Sequence, residues 1–369
     1  MRRAIALADR GLGTCSPNPI VGCVILDAGG EVAGEGFFER PGGPHAEVHA
    51  LRAAGHRARG GTAVVTLEPC NHHGRTPPCR AALIDAGIAR VVYAVAEPIA
   101  AHAGGSGALR TAGVEVESGV LEEEAARANE AWLLSVRLHR PFVTWKYAAS
   151  LDGRVAARDG SSRWITGAES RADAHRLRAR SDAVLVGSGT VRADDPRLTA
   201  RGEAVRRQPL RVVVDTEART ALTARVLDAA APTLVAVADD ADAAHLEGRA
   251  AVARLPRSER GLDLAALLQS LFDREVRSVL LEGGPTLAGS FLAAGLVDRV
   301  IGYVAPLAIG GGGLPALAGP GAASIGDARR FRLDEVARLG PDLRLTARPL
   351  HPAGHAWWPG EQATTTASR

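Results

Sequence analysis

Strands and helices alternate along this chain, and that alternation predicts an α/β protein with layered sheets and two separate cores. Three observations carry the prediction: short apolar β-branched runs, helical periods between them, and a length of 369 residues, more than one average domain uses. The first third reads as a helix over 2–12, a buried strand "IVGCVIL" at 20–26 and a helix over 44–54. A strand "TAVVTLEP" follows at 62–69, then a helix over 78–86, a strand at 90–98 and a long helix over 121–138. The "HRP" at 139–141 marks a boundary, because the residue before proline is biased away from helix. A second series begins at "PFVTWKYAASLDG" and continues through strands at 182–190, 210–216, 232–239, 278–286, 300–306 and 342–350. The expected domains are therefore 1–139 and 141–350. Residues 351–369 show neither period and are expected to form a disordered tail.

Composition narrows the function classes. Hydrophobic residues make up 46% and charged residues 23%, an ordinary balance for globular protein, and no window approaches the roughly 18 apolar residues of a membrane span. Asp9 and Arg10 interrupt the apolar N-terminus and no cleavage signal follows, so a cytoplasmic protein is expected, with no membrane partner. The net charge of +3 is spread among 41 acidic residues, which argues against nucleic acid as a partner. Four cysteines in such a chain favour metal or catalytic use over disulfides, with Cys15 and Cys23 read as core residues. Of 44 basic residues, Lys146 is the sole lysine, which marks it for work that a guanidinium cannot do.

The stretch "EPCNHHGRTPPC" at 68–79 holds Cys70, His72, His73 and Cys79. A closed site of all four is disfavoured, since adjacent residues in extended backbone point to opposite sides. Upstream, "GGPHAEVHA" places His45 and Glu47 at a helix start after Pro44, and Cys79 also opens a helix. Helix N-termini favour a thiolate and orient a neutral imidazole. His45, Cys70 and Cys79 then form a three-ligand set suited to one zinc ion, leaving a fourth position for water. Glu47 is too close in sequence to His45 to share the ion, and is read as the catalytic proton shuttle between water and a leaving amine. The H-x-E pattern matches that of zinc base deaminases, whereas eight residues rather than two separate the cysteines.

The motifs "SPNPIVGCVI", "PHAEVHAL", "TLEPCNHHGRTPPC", "KYAASLDGRVA", "SRWITG", "GSGTVRADDPRLTAR" and "EGGPTLAGSFLAAGLVD" together resemble the bifunctional deaminase/reductase family of riboflavin biosynthesis, from about residue 2 to 350. The resemblance implies an N-terminal cytidine-deaminase-like αβα domain followed by a dihydrofolate-reductase-like α/β domain. It implies hydrolysis of the 2-amino group of a diamino-phosphoribosylamino-pyrimidinone, then NADPH reduction of the ribosyl group to a ribityl chain. The partner is then a small pyrimidine nucleotide, with a homo-oligomer left open.

By the same resemblance His45, Cys70 and Cys79 hold zinc and Glu47 is catalytic. Asn18 contacts the pyrimidine, and His72, His73 and Arg75 enclose the substrate. In the second half, Ser162, Arg178, Leu198, Arg201 and Glu282 match substrate positions, and Lys146 lies where an ammonium reaches the sugar. Ala148, Trp164, Thr190, Asp194, Thr216 and the run Gly284, Pro285, Thr286, Leu287, Ala288, Gly289 and Ser290 match NADPH positions. The run fits the physics, since strand, glycine pair and helix start let a phosphate approach backbone N–H groups. Arg178 and Arg201 suit a phosphate by forked geometry. The loop "EPIAAHAGGSG" at 97–107 departs from the family's Asp-Pro-Asn-Pro run: Glu97 is a methylene longer, and Ile99 has no hydrogen-bonding side chain. Two rivals are a nucleic-acid base deaminase, which has no use for residues 141–350, and a deaminase half kept only as a zinc-stabilised scaffold.

Overall fold

In the computed structural model, which describes residues 1–72, 77–202 and 205–350, the elements form two separate main sheets. The first unit runs α1 (Arg2–Ala8), β1 (Gly22–Leu26), β2 (Val32–Phe37), α2 (Ala46–Ala54), β3 (Thr62–Leu67), α3 (Cys79–Asp85), β4 (Arg90–Val95), α4 (Gly105–Thr111) and β5 (Glu115–Ser118). Its sheet has the order β2-β1-β3-β4-β5, with β1 antiparallel to both neighbours and β3, β4 and β5 parallel. The sequence reading missed β2, α4 and β5. In β2, Gly34 and Gly36 interrupt the apolar alternation for a packing reason. A Cβ there would fall 2.2 Å from the Ala50 carbonyl oxygen and 2.4 Å from that of Ala46, so α2 lies on β2 backbone to backbone.

The expected helix over 121–138 is two helices, α5 (Glu122–Ala128) and α6 (Glu130–Leu138). They break at Asn129, which leaves helical geometry to pair its amide with Ile20. Its Nδ2 donates to the Ile20 carbonyl at 3.2 Å, and its Oδ1 accepts from the Ile20 N–H at 3.3 Å.

The second unit begins with β6 (Phe142–Ser150), β7 (Arg154–Ala156), α7 (Ala168–Arg180), β8 (Ala183–Gly187), α8 (Ser188–Asp194), β9 (Leu210–Val214), β10 (Thr233–Ala238) and β11 (Ala251–Leu255). It continues with β12 (Arg257–Ser258), β13 (Gly261–Leu262), α9 (Leu264–Asp273), β14 (Ser278–Leu281), α10 (Pro285–Ala293), β15 (Arg299–Ala305), β16 (Leu314–Pro315), β17 (Phe331–Leu339) and β18 (Asp342–Pro349). The large sheet has the order β11-β10-β9-β8-β14-β6-β15-β18-β17. Strands β6, β8, β9, β10, β11, β14 and β15 are mutually parallel, while β18 and β17 close the edge in antiparallel fashion. The parallel strands read as near-continuous Val, Leu and Ala runs because helices cover both faces. In such sheets ligands bind beyond the carboxyl ends of the strands, and of the expected residues Thr190, Thr216, Glu282 and Gly284 follow the ends of β8, β9 and β14.

Buried charges join the units. Glu130 of α6, 2% exposed, pairs with Arg299 of β15 and with Arg348 of β18, the latter at 3.0 Å. Arg140, in the connection, grips Asp298 through two bonds of 2.7 Å.

Candidate functional sites in the two units

Three loops of the first sheet meet at one corner. His45 is the N-cap of α2, Cys79 is the first residue of α3, and Cys70 follows the end of β3. The prolines expected inside these helices sit ahead of them, Pro44 before the His45 cap of α2 and Pro78 as the cap of α3. One ligand atom from each of His45, Cys70 and Cys79 lies within 4.8 Å of the others. His45 Nδ1 is 3.0 Å from Cys79 Sγ and 3.7 Å from Cys70 Sγ, and the Cys79 N–H donates to Cys70 Sγ at 3.2 Å. Hydrogen bonds from Cys79 and His45 hold the Cys70 thiol down to about 4. The Cys79 thiol is pushed up, first by its bond to Cys70 and then by burial. Two sulfurs and an imidazole nitrogen so close together form the soft donor set that fits zinc.

Glu47 is buried in the first turn of α2, 3% exposed, and burial raises its carboxyl above the usual range. A carboxyl that readily holds a proton is what a shuttle requires. His72 stacks on His102 with ring centroids 3.8 Å apart, and Asn71 N–H donates to the His102 carbonyl at 3.1 Å, so the altered loop stands beside the ligand loop. His73 and Arg75 lie outside the described residues, as does the tail 351–369. Asn18 is exposed on the turn before β1, where its N–H donates to the Cys15 carbonyl. Cys15 and Cys23 are buried, as expected of core residues.

Glu68 was missed by sequence reasoning. Its buried carboxylate accepts from Ser106 N–H at 2.9 Å and Glu97 N–H at 3.3 Å, and so ties the 97–107 loop to the segment after β3 that carries Cys70. Gly105 completes the tie, since a Cβ there would lie 1.7 Å from the Pro69 carbonyl oxygen. The "EP" before Cys70 was the available signal.

In the second unit Lys146 sits mid-strand in β6, and Glu282 follows the end of the adjacent β14. Lys146 Nζ is 3.8 Å from Glu282, and 5.8 Å from the Tyr303 ring centroid. Arg178 of α7 holds Glu282 with a two-pronged grip of 2.6 and 2.9 Å and donates to the Thr199 carbonyl at 3.1 Å. Its fork is thus engaged by protein rather than free. Burial opposes ionisation of Glu282, but Arg178 and Lys146 prevail and hold its carboxyl down to about 2. Behind them, Tyr303 donates to Asp173 at 2.7 Å, and Arg344 reaches the same oxygen at 3.2 Å. These three were also missed, because their pairing spans three separate elements.

Thr190 of α8 accepts from the Gly284 N–H at 3.0 Å, which joins α8 to the cap of α10, where Gly284, Pro285, Thr286, Leu287, Ala288, Gly289 and Ser290 lie. Trp164 is exposed under Arg171, and Arg163 donates to the Asp194 carbonyl at 2.9 Å, so those expected positions adjoin. Thr216 follows β9 beside Gly261, and Ala148 lies opposite Tyr303 in the sheet. Leu198 is buried with a positive φ of 55°, while Arg201 is exposed and Ser162 half-buried.

Family models match both units. The cytidine and deoxycytidylate deaminase zinc-binding region matches residues 1–95, and the RibD C-terminal domain matches residues 141–345. The riboflavin biosynthesis protein RibD of Escherichia coli is 43% identical over 358 residues, covering 94% of this chain and 97% of its own. That of Mycobacterium tuberculosis is 48% identical over 338 residues, covering 90% and 92%. The solved structure of Acinetobacter baumannii RibD superposes with a TM-score of 0.86 at 41% identity, covering 95% of this chain and 98% of the other. A diaminohydroxyphosphoribosylaminopyrimidine deaminase/5-amino-6-(5-phosphoribosylamino)uracil reductase from Thermotoga maritima gives 0.87 at 36% identity, covering 95% and 97%. Both halves match in one order across nearly the whole length of these relatives, and on that ground the chain belongs to the RibD family of riboflavin biosynthesis proteins.

Proposed function

We propose that the chain is a bifunctional enzyme acting twice on one pyrimidine nucleotide. The first unit removes the 2-amino group of 2,5-diamino-6-(5-phosphoribosylamino)pyrimidin-4-one by hydrolysis, and the second reduces the ribosyl group of the product to ribityl phosphate. The observation that carries this reading is the cluster of His45, Cys70 and Cys79 with the buried Glu47 two residues beyond its first member. Zinc held by these three side chains supplies a Lewis acid that makes hydroxide available near pH 7. Glu47 takes up a proton at its carboxylate and returns it to the departing amine. Asn18 is assigned to holding the pyrimidine, and His72 to enclosing the phosphoribosyl substrate.

In the second unit NADPH supplies the hydride. The α10 cap, with Thr190 fixing Gly284, presents the positive end of a helix to the cofactor's phosphates. Ala148, Trp164, Asp194 and Thr216 are assigned to the rest of the cofactor. Lys146, set beside Glu282, offers its ammonium protons to the oxygens of the opening sugar. Ser162, Arg178, Leu198 and Arg201 are assigned to the rest of the substrate.

The test is incubation of the purified, zinc-loaded protein with the diaminopyrimidine nucleotide and NADPH. Ammonia release and NADPH oxidation are followed separately, and ribityl product is expected. Absence of both signals would end this reading.

A further inference from the structure

The turn that carries Asn18 is held from outside. In "SPNPI", residues 16–20, Pro17 and Pro19 have no N–H to donate, so the segment is short of backbone donors and its anchors come from elsewhere. Within the turn, the Asn18 N–H donates to the Cys15 carbonyl at 3.0 Å. Three further bonds come from the start of α6, 109 and 115 residues away along the chain. Trp132 Nε1 donates to the Pro17 carbonyl at 3.0 Å, and the Asn129 side chain makes the other two with Ile20. Trp132 is 8% exposed, and a buried indole N–H, which can only donate, needs such an acceptor. The anchored turn stands next to the candidate metal cluster, because Ile20 shares an apolar cluster with Phe38, whose ring meets His45 edge-on with centroids 5.4 Å apart. The anchor is itself fixed from the other side. Glu130, between Asn129 and Trp132, is held by Arg299 and Arg348 of the second unit. Trp132 also backs the altered loop, since with Ala126 and Leu133 it forms the apolar cluster against which Ile99 packs.

We propose that Trp132 is a positioning residue of the deaminase site, acting through Asn18, which it holds towards the pyrimidine by fixing the neighbouring Pro17 carbonyl. Asn129 fixes the other end of the same turn at Ile20. With the backbone tied on both sides of Asn18, fewer orientations are open to its amide, and substrate binding costs less ordering entropy. The hold lies on a helix start that the reductase half also grips, so a contact in one active site is set by an element shared between the two units. This inference rests on the deaminase reading above and deepens it by naming the residue that sets a substrate contact.

The experiment measures ammonia release against diaminopyrimidine nucleotide concentration for zinc-loaded wild type, Trp132→Phe, Asn18→Ala and the double variant. Phenylalanine keeps an aromatic ring in the apolar cluster and removes the N–H. For Trp132→Phe we expect KM to rise about 10-fold, the scale of one lost hydrogen bond. Turnover should stay within about twofold, as when a contact common to ground and transition states is weakened. Zinc content, and NADPH oxidation with the deaminated aminouracil nucleotide supplied, should match wild type. In the Asn18→Ala background Trp132→Phe should add nothing further, an outcome that a general packing role does not produce. Asn129→Ala should raise KM in the same way, and it decides the matter if Trp132→Phe loses zinc or reductase activity. An unchanged KM in Trp132→Phe, or losses that add in the double variant, would overturn the proposal alone. Asn18→Ala with a wild-type KM would overturn it together with the Asn18 assignment, and wild type that releases no ammonia would overturn the deaminase reading on which both rest.

Discussion

Glu47 separates catalysis from metal binding more cleanly than any other side chain here, because it is buried next to the ligands without being one of them. Glu47→Gln should lower deaminase turnover by about 10²- to 10⁴-fold, the usual range for a lost general acid–base. Zinc content, and NADPH oxidation with the deaminated aminouracil nucleotide supplied as substrate, should stay at wild-type levels; loss of zinc in this variant would make Glu47 structural. Cys79→Ser should do the reverse and remove the metal, as read by metal analysis of the purified protein. His45, Glu47, Cys70 and Cys79 were legible in the sequence because their chemistry is compressed into two short motifs. Glu68 and Glu130 were not. The first is satisfied in part by a backbone N–H 38 residues away and the second by an arginine 169 residues away, distances that no local pattern encodes.

At the level of elements, helices and strands with an uninterrupted period were readable, and those built for contact were not. β2 is broken by glycines that admit α2, and the 121–138 helix is broken by an asparagine that pairs with a distant backbone. The 97–107 loop shows the same logic. Gly105→Ala would drive a Cβ into the Pro69 carbonyl, and a cost of about 2–4 kcal/mol is expected from the denaturation midpoint, with loosened zinc retention. Glu97, in the same loop, is pushed up to about 7, chiefly by burial. Its folded value is above its unfolded one, so the folded protein binds the extra proton. Stability should fall as pH rises from about 4.5 to 7 and level off above. Glu97→Gln should flatten that slope in denaturation curves measured across this window; an unaltered slope would assign it to another group.

Across the whole molecule, the two sheets carry separate ligand sets but share charge. The three candidate metal ligands all belong to the first sheet's loops, whereas Lys146, Glu282 and the α10 cap belong to the second. Removing zinc with a chelator should therefore abolish ammonia release, while NADPH oxidation persists when the deaminated aminouracil nucleotide is supplied to the second half; loss of that oxidation as well would show that the halves fold as one. Glu130→Gln tests their joint directly. It leaves Arg299 and Arg348 facing a neutral group in a mostly buried site, and about 3 kcal/mol of lost stability is expected in chemical denaturation, with Arg348 still reaching Asp334 at 3.2 Å.

The Glu130 contact also bears on dissection of the molecule. Each half, produced alone, would expose one side of a complementary ionic plug: a carboxylate at the start of α6 on one piece, two guanidinium groups on β15 and β18 of the other. Mixed in dilute buffer the pieces would find each other through that plug, and added salt would part them. The peptide link between the activities would then be a tether that raises local concentration rather than the source of their fit.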